Sequence, residues 1–231
     1  MKDSKTFLNV NLCQDNQIVC LIGPSGAGKS FCSDFLKHHG YEVATQITTR
    51  TPRPDDCHYE YVSHKDFLNG LKDSNILGYY SGNPATFTDG NGYGYNVKYL
   101  QSLISAKKKI ILFPSAYELS QPDFQEMYKN AIKICITFKN NSSVKKRAIQ
   151  AKKTFTACEL ATRINSVNEL TKHMLDYSKK SSDINFFMIY SDSYSSNVFE
   201  SKFAQLKEIC SILSISNADK IIAKYLNENE K

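Results

Sequence analysis

The run Gly23-Pro24-Ser25-Gly26-Ala27-Gly28-Lys29-Ser30 constrains this chain more than any other stretch. It fits G-x-x-x-x-G-K-[ST], the loop that cradles phosphates. Glycines let backbone N–H groups turn inward around a polyphosphate, where a Cβ would stand in the way. Lys29 then reaches the β- and γ-phosphates as a mobile point charge, and the Ser30 hydroxyl suits Mg²⁺. Gln17 to Ile22 reads as a short buried strand, and Lys29 to His39 as a helix stopped by Gly40. Strand, glycine loop and helix together predict a nucleoside triphosphate site. Gly23, Pro24, Ser25, Gly26, Ala27, Gly28, Lys29 and Ser30 hold the nucleoside triphosphate in this reading, with Lys29 catalytic and Ser30 on the metal.

The 231 residues suit one α/β domain with insertions, or two small domains, and a 41% hydrophobic fraction with 14 Tyr and 13 Phe supplies a core. No apolar run approaches a membrane span, and Met1 to Lys5 lacks the apolar stretch of a signal peptide. The 7 cysteines are scattered without a C-x-x-C pair, which predicts reduced thiols in a cytoplasmic protein. A net charge of +6 is modest, and its clusters (107–109, 145–147, 152–153, 179–180) read as solvated helix faces. No membrane or nucleic-acid partner is expected, and the protein should be a monomer or homodimer.

Strand and helix signals alternate, which predicts a parallel sheet covered by helices. Tyr41 to Thr49 is extended, and Arg50 to His58 is a proline-punctuated loop. Ser63 is a helix N-cap with Asp66 three residues on. The glycines from Ser81 to Gly94 predict a loop. Further strands are expected at 109–114, 131–138 and 185–190, and helices at 97–106, 121–129, 142–151, 156–179, 195–213 and 217–230.

A second motif, Thr48-Thr49-Arg50-Thr51-Pro52-Arg53-Pro54, precedes Tyr59-Glu60-Tyr61-Val62-Ser63. Guanidinium forks match phosphate oxygens, and proline lowers the ordering entropy of their loop. Together with 93–97 (YGYNV), these segments resemble the guanylate kinase family, over most of the chain and most specifically in the first hundred residues. The resemblance implies a three-layer P-loop NTPase fold with a core at 1–44, 96–139 and 164–215. It further implies an acceptor-binding insertion at 45–95, a small helical lid at 140–163 and a tail helix at 216–231. It implies transfer of the γ-phosphoryl of ATP to GMP, or to another phosphorylated acceptor, with Mg²⁺. Arg50, Arg53, Tyr59 and Tyr93 would hold the acceptor phosphate. Arg147 and Arg163 would close over the transferring group as catalytic lid arginines.

This chain departs from the family pattern at Gln46, Gly78, Tyr95 and the Phe113-Pro114-Ser115 exit of its strand, where guanine readers and an Asp-x-Asp pair are usual. Ala151 stands where another lid arginine is usual. Asp55, Asp56, Asp89 and Glu118 are the carboxylates available instead to order Mg²⁺. Two other readings follow from the departures. One is a sugar-phosphate kinase resembling ribose 1,5-bisphosphate phosphokinases, which also lack that pair. The other is a catalytically silent module that binds phosphorylated peptides. Tyr79, Tyr80 and Tyr95 are candidates for stacking an acceptor base.

Overall fold

The computed structural model describes residues 18–24, 26–53, 56–81, 90–120, 125, 128–138, 156–191 and 198–229; the side chains of Ser120, Ala157, Glu159, Thr162, Arg163 and Val198 lie outside this description. The expected helices at 121–129 and 142–151 fall almost entirely outside the described residues.

The first sheet is built from β1 (Ile18–Ile22), β2 (Tyr41–Val43), β7 (Lys109–Leu112), β8 (Ile132–Phe138) and β9 (Phe186–Ser191). Its order is β2-β7-β1-β8-β9, and every pairing is parallel. Parallel strands need helical crossovers, so both faces are covered and the strands read as continuous apolar runs. Alternate residues serve opposite faces. Val19 and Leu21 join Ile111, Ile134 and Ile136 in one core cluster, while Ile18, Cys20 and Ile22 join Ile110 and Leu112 in the other.

Helices α1 (Lys29–Lys37), α5 (Val198–Ile212) and α6 (Ala218–Asn229) cover the first face, through Phe35, Leu206 and Ile222 among others. Helix α3 (Val97–Ser105) covers the second, with Leu170, Met174 and Tyr177 of α4 (Ala157–Lys180). The result is a helix–sheet–helix sandwich, as the alternating pattern predicted. The tail helix α6 is docked: its apolar residues Ile222, Tyr225 and Leu226 are buried, and the Tyr225 ring meets Phe35 edge-on at 5.3 Å and His38 at 5.2 Å. Helix α4 runs without a break across the boundary drawn at 163/164.

Tyr41 to Thr49 is not one strand. After β2 the chain leaves the first sheet at Ala44 and begins β3 (Gln46–Thr48), which belongs to a second sheet. That sheet has the order β4-β3-β6-β5, with β4 at Tyr59–Tyr61, β5 at Ile76–Tyr80 and β6 at Gly92–Asn96. Helix α2 (His64–Lys72) starts as expected, the Ser63 side chain accepting from the Asp66 N–H at 3.1 Å. The loop expected from Ser81 to Gly94 ends earlier, because Gly92 and Gly94 are strand residues. Glycine is required there by contact: a Cβ on Gly92 would lie 2.5 Å from the Phe67 ring, and one on Gly94 would lie 2.6 Å from the Leu77 carbonyl oxygen. Residues 82–89 lie outside the described residues.

At the far end of the first sheet, Lys133 is buried with its Nζ 2.8 Å from Asp183 and 3.1 Å from the Ala131 carbonyl oxygen. Tyr177 donates to the same Asp183 carboxylate at 2.9 Å. A buried charge held this way carries its own partners and fixes how β8 meets the α4–β9 turn.

Candidate active site

The phosphate loop leaves the C-terminal end of β1 with Gly23, Gly26 and Gly28 at φ +146°, +84° and +100°. Such angles suit glycine because a Cβ would collide with the backbone. At Gly23 the neighbour is specific, since a Cβ would stand 2.0 Å from the Ile136 carbonyl oxygen on β8. Gly28 is the N-cap of α1 and supplies no side-chain cap. The first amides of α1 therefore keep their donors for an anion at the positive end of the helix dipole. Ser25 lies outside the described residues.

Lys29 folds back over the loop, donating from Nζ to Gly23 O at 2.6 Å and Pro24 O at 2.9 Å. The loop encloses its ammonium head although the rest of the side chain keeps some surface. Burial lowers the Lys29 ammonium from 10.5 to about 8. Ser30 is exposed at the start of α1, where its hydroxyl can meet a hydrated cation. Sequence reasoning missed the support beneath the loop. Gln205 of α5 is buried, lies 3.0 Å from where a Gly28 Cβ would be, and donates to Cys32 Sγ at 3.4 Å. A glutamine in an otherwise apolar helix face was the available signal.

Of the four expected acceptor-clamp residues, Tyr59 and Tyr93 lie on strands of the second sheet and Arg50 and Arg53 on the loop between β3 and β4. Thr48 pairs with Tyr93 across β3 and β6, which sets Tyr93 at the exit of β3 that leads to Arg50, while Tyr59 pairs with Gln46 at the entry of β3 and reaches Arg50 through its ring. The two threonines fix that exit. Thr48 Oγ1 donates to Gly92 O at 2.9 Å, and Thr49 Oγ1 accepts the Gly92 N–H at 2.8 Å. The Arg50 guanidinium carbon lies 4.6 Å from the Tyr59 ring centroid and 5.9 Å from that of Tyr61. Arg53 is exposed, and it acts with Arg50 on the half-buried Tyr93 phenol against the upward push of burial. Arg50, Arg53, Tyr59 and Tyr93 thus share one electrostatic neighbourhood. Arg147 lies outside the described residues, and Arg163 is described only as a helical position on α4.

Asp56 was a candidate for ordering a metal, but it is committed elsewhere: its carboxylate pairs with Arg50 and accepts from the Tyr61 hydroxyl. The Arg50 bond comes first among the causes that hold Asp56 far below the ordinary carboxylate range. Glu118 is also committed in part. Its Oε2 accepts the Ser115 N–H at 2.5 Å and Ser115 Oγ accepts the Tyr117 N–H at 3.3 Å, which ties down the turn that leads into the short 3₁₀ segment Glu118–Ser120. Burial raises the Glu118 carboxyl to about 7. Asp55 and Asp89 lie outside the described residues. Among the described residues no group of three or more His, Cys, Asp or Glu is gathered around a cation position.

Three departures from the family pattern meet each other. Gln46 Nε2 donates to Phe113 O at 3.2 Å, and the Phe113 N–H donates to the Tyr95 hydroxyl at 2.6 Å. Gln46 and Tyr95, both buried, thereby clamp the two backbone groups of the residue that follows β7. Gly78 is closed to any side chain, since its Cβ would lie 2.3 Å from Tyr93 O. Of the tyrosines proposed to stack a base, Tyr95 is in the core and Tyr80 bonds to His64 Nδ1 at 2.7 Å. Tyr79 stacks on Tyr117 at 5.9 Å and 23°.

A family model described as guanylate kinase matches residues 15–192, which takes in the phosphate loop, the clamp and both sheets. The chain belongs to the guanylate kinase family. A guanylate kinase of Campylobacter jejuni (strain RM1221) is 26% identical over 168 residues, covering 69% of this chain and 77% of that one. A guanylate kinase of Wolinella succinogenes is 34% identical over 103 residues, covering 42% and 44%. Among solved structures, the guanylate kinase from Anaplasma phagocytophilum superposes with a TM-score of 0.53 at 16% identity, over 92% of this chain and 94% of that one. The α/β sandwich with its parallel sheet is therefore the guanylate kinase P-loop fold. As a member of that family the protein is a guanylate kinase-like phosphotransferase. Among its described residues no helix is long and apolar enough to cross a membrane.

Proposed function

We propose that the protein transfers the γ-phosphoryl group of ATP to GMP, giving ADP and GDP. The observation that carries this reading is the pairing of two phosphate grips in one chain: a glycine loop with an enclosed lysine, and a clamp of Arg50, Arg53, Tyr59 and Tyr93. Phosphoryl transfer needs mainly positioning and charge cancellation, which such grips supply. Loop amides and the start of α1 would hold the triphosphate. Lys29 would exchange its two carbonyl partners for phosphate oxygens and oppose the charge that spreads over the transferring group. The clamp would orient the acceptor phosphate in line with it. Mg²⁺, where bound, neutralises phosphate charge; Ser30 is the residue fitted to hold it, with water completing its shell. Arg147 and Arg163 are proposed to complete the charge cancellation from the lid. The free thiols at Cys20, Cys32, Cys57, Cys135, Cys158 and Cys210 support a cytoplasmic setting.

A second acceptor reading has its own observation. Gln46, Tyr95 and the Phe113 backbone satisfy one another, and Gly78 admits no side chain, so polar groups are spent inside the protein instead of facing a base edge. That suits a phosphorylated sugar, which needs no purine readers. ADP release from Mg-ATP with GMP, dGMP, AMP, UMP and ribose 1,5-bisphosphate distinguishes the two. Turnover confined to GMP and dGMP supports the first; selective turnover of the sugar phosphate supports the second. ATP binding with silence across the panel contradicts both and favours a binding module.

Arg50→Ala should raise the acceptor KM by about a hundred-fold and change kcat little, because a charge-assisted grip on the ground-state phosphate is lost. Steady-state kinetics checks this, and an unchanged KM would remove Arg50 from the clamp. The lowered Lys29 group adds a pH signature. Above about pH 8 Lys29 is largely neutral in the free protein, and a seated triphosphate would restore its charge. At about pH 9 binding of Mg-ATP should therefore take up about one proton at this group, against almost none at about pH 7. Affinity should fall as pH rises through that range. Calorimetry in buffers of different ionisation enthalpy measures the uptake, and no rise between the two pH values would contradict it.

A further inference from the structure

Both terminal nitrogens of Arg50 are occupied within its own loop. Nη1 donates to Thr51 O at 3.0 Å and Nη2 pairs with Asp56, while the guanidinium lies over the Tyr59 ring. Asp56 in turn collects several donors: Arg50 through Oδ1, with the Tyr61 hydroxyl and the Arg53 N–H, the latter at 2.7 Å, through Oδ2. The pair is well covered, the Arg50 side chain being 8% and that of Asp56 13% exposed. A carboxylate that draws on a guanidinium, a backbone amide and a phenol sits as a phosphoryl group would, because the two anions ask for the same donors in the same fork geometry.

We propose that Asp56 is a tethered competitor for the acceptor phosphate, bound in the Arg50 cradle and displaced when an acceptor is seated. This rests on the reading of Arg50 and its neighbours as the acceptor clamp. The tether is short: Asp56 N donates to Arg53 O at 3.1 Å, closing a turn of the loop that carries both arginines. Displacing Asp56 trades one anion for another, so a bare phosphate gains little from the exchange. A complete acceptor gains more, since its remaining atoms make contacts that inorganic phosphate cannot. Asp56 thereby weakens every ligand of the cradle by one common factor, which leaves inorganic phosphate, with no other contact, barely bound while a whole acceptor still binds; this is a threshold on binding and not a chemical role. A carboxylate that merely orients Arg50 predicts the opposite response, because an acceptor would bind beside it and its loss would loosen the cradle.

The test is the affinity of the full-length protein for inorganic phosphate, by calorimetry, in the parent and in Asp56→Asn, with acceptor kinetics alongside. Asparagine keeps the shape and the turn and removes the charge. The proposal expects phosphate to bind about ten-fold tighter or more in Asp56→Asn, the acceptor KM to fall, and kcat to hold. Adding Arg50→Ala to that variant should abolish the gain. If Asp56→Asn does not fold, Tyr61→Phe removes one donor that holds Asp56 and should shift phosphate affinity in the same direction by a smaller factor. Phosphate affinity that is unchanged or weaker in these variants overturns the proposal, and an intact parent turnover would then leave the phosphotransferase reading standing. Tighter phosphate binding in a protein that turns over no acceptor would support the competitor role and sink the transferase reading instead.

Discussion

Lys29→Ala should lower phosphoryl-transfer turnover by about a thousand-fold or more, a loss of about 4 kcal/mol at the transition state. The lysine is the cation that the phosphate loop carries, and its Nζ already lies 2.6 Å and 2.9 Å from two loop carbonyl oxygens. An alanine there can neither follow the transferring oxygens nor offset their charge. Stability should not fall with activity. Burial depresses the Lys29 ammonium to about 8, so at neutral pH the folded state holds a charged group that the unfolded chain would hold more comfortably. Removing it should leave the thermal midpoint level or slightly higher. A variant that is inactive and equally stable, by coupled ADP assay and calorimetric melting, fits this account. A variant with parental turnover contradicts it.

Gly23→Ala should have its effect on the fold. The residue sits at φ +146° with no room for a methyl group, since a Cβ would lie 2.0 Å from the Ile136 carbonyl oxygen. That oxygen is part of β8, held between β1 and β9, so relief requires the first sheet to spread at the end that carries the phosphate loop. Destabilisation of about 3–5 kcal/mol is expected. Gly40→Ala is the matched control. Gly40 also has positive φ, at +80°, but its Cβ would meet nothing within 4 Å, so only the backbone strain of about 1 kcal/mol should appear. Urea unfolding of both variants reads the difference. Equal losses would mean that β1 and β8 part more easily than their packing implies.

The strand, glycine turn and helix around 18–37 were legible because that geometry is local, each glycine acting within one turn of chain. The proximity of Arg50 to Tyr59 was legible in composition, as arginines on a proline-stiffened loop with tyrosines after it. The anchoring of that loop was not, because Thr48 and Thr49 bond to Gly92 across more than forty residues of sequence. Asp56 reads in sequence as a carboxylate available to a metal, and only the folded loop reveals that it faces Arg50. Tyr41 to Thr49 reads as extended without a visible break; the crossing at Ala44 depends on which strands arrive later to pair. The strand at Gly92–Asn96 was hidden by glycines that signal a loop in isolation and close packing in context. The tail helix reads in sequence as a polar helix, and its seat on Phe35 and His38 is a tertiary fact.

The most direct test follows the phosphoryl group itself. With Mg-ATP and GMP in stoichiometric amounts, ³¹P NMR should show the γ-phosphoryl of ATP reappearing as the β-phosphate of GDP, with Lys29→Ala as the silent control. GMP and the sugar phosphate that both remain unchanged while the protein binds ATP, or transfer that persists undiminished in Lys29→Ala, would contradict the account.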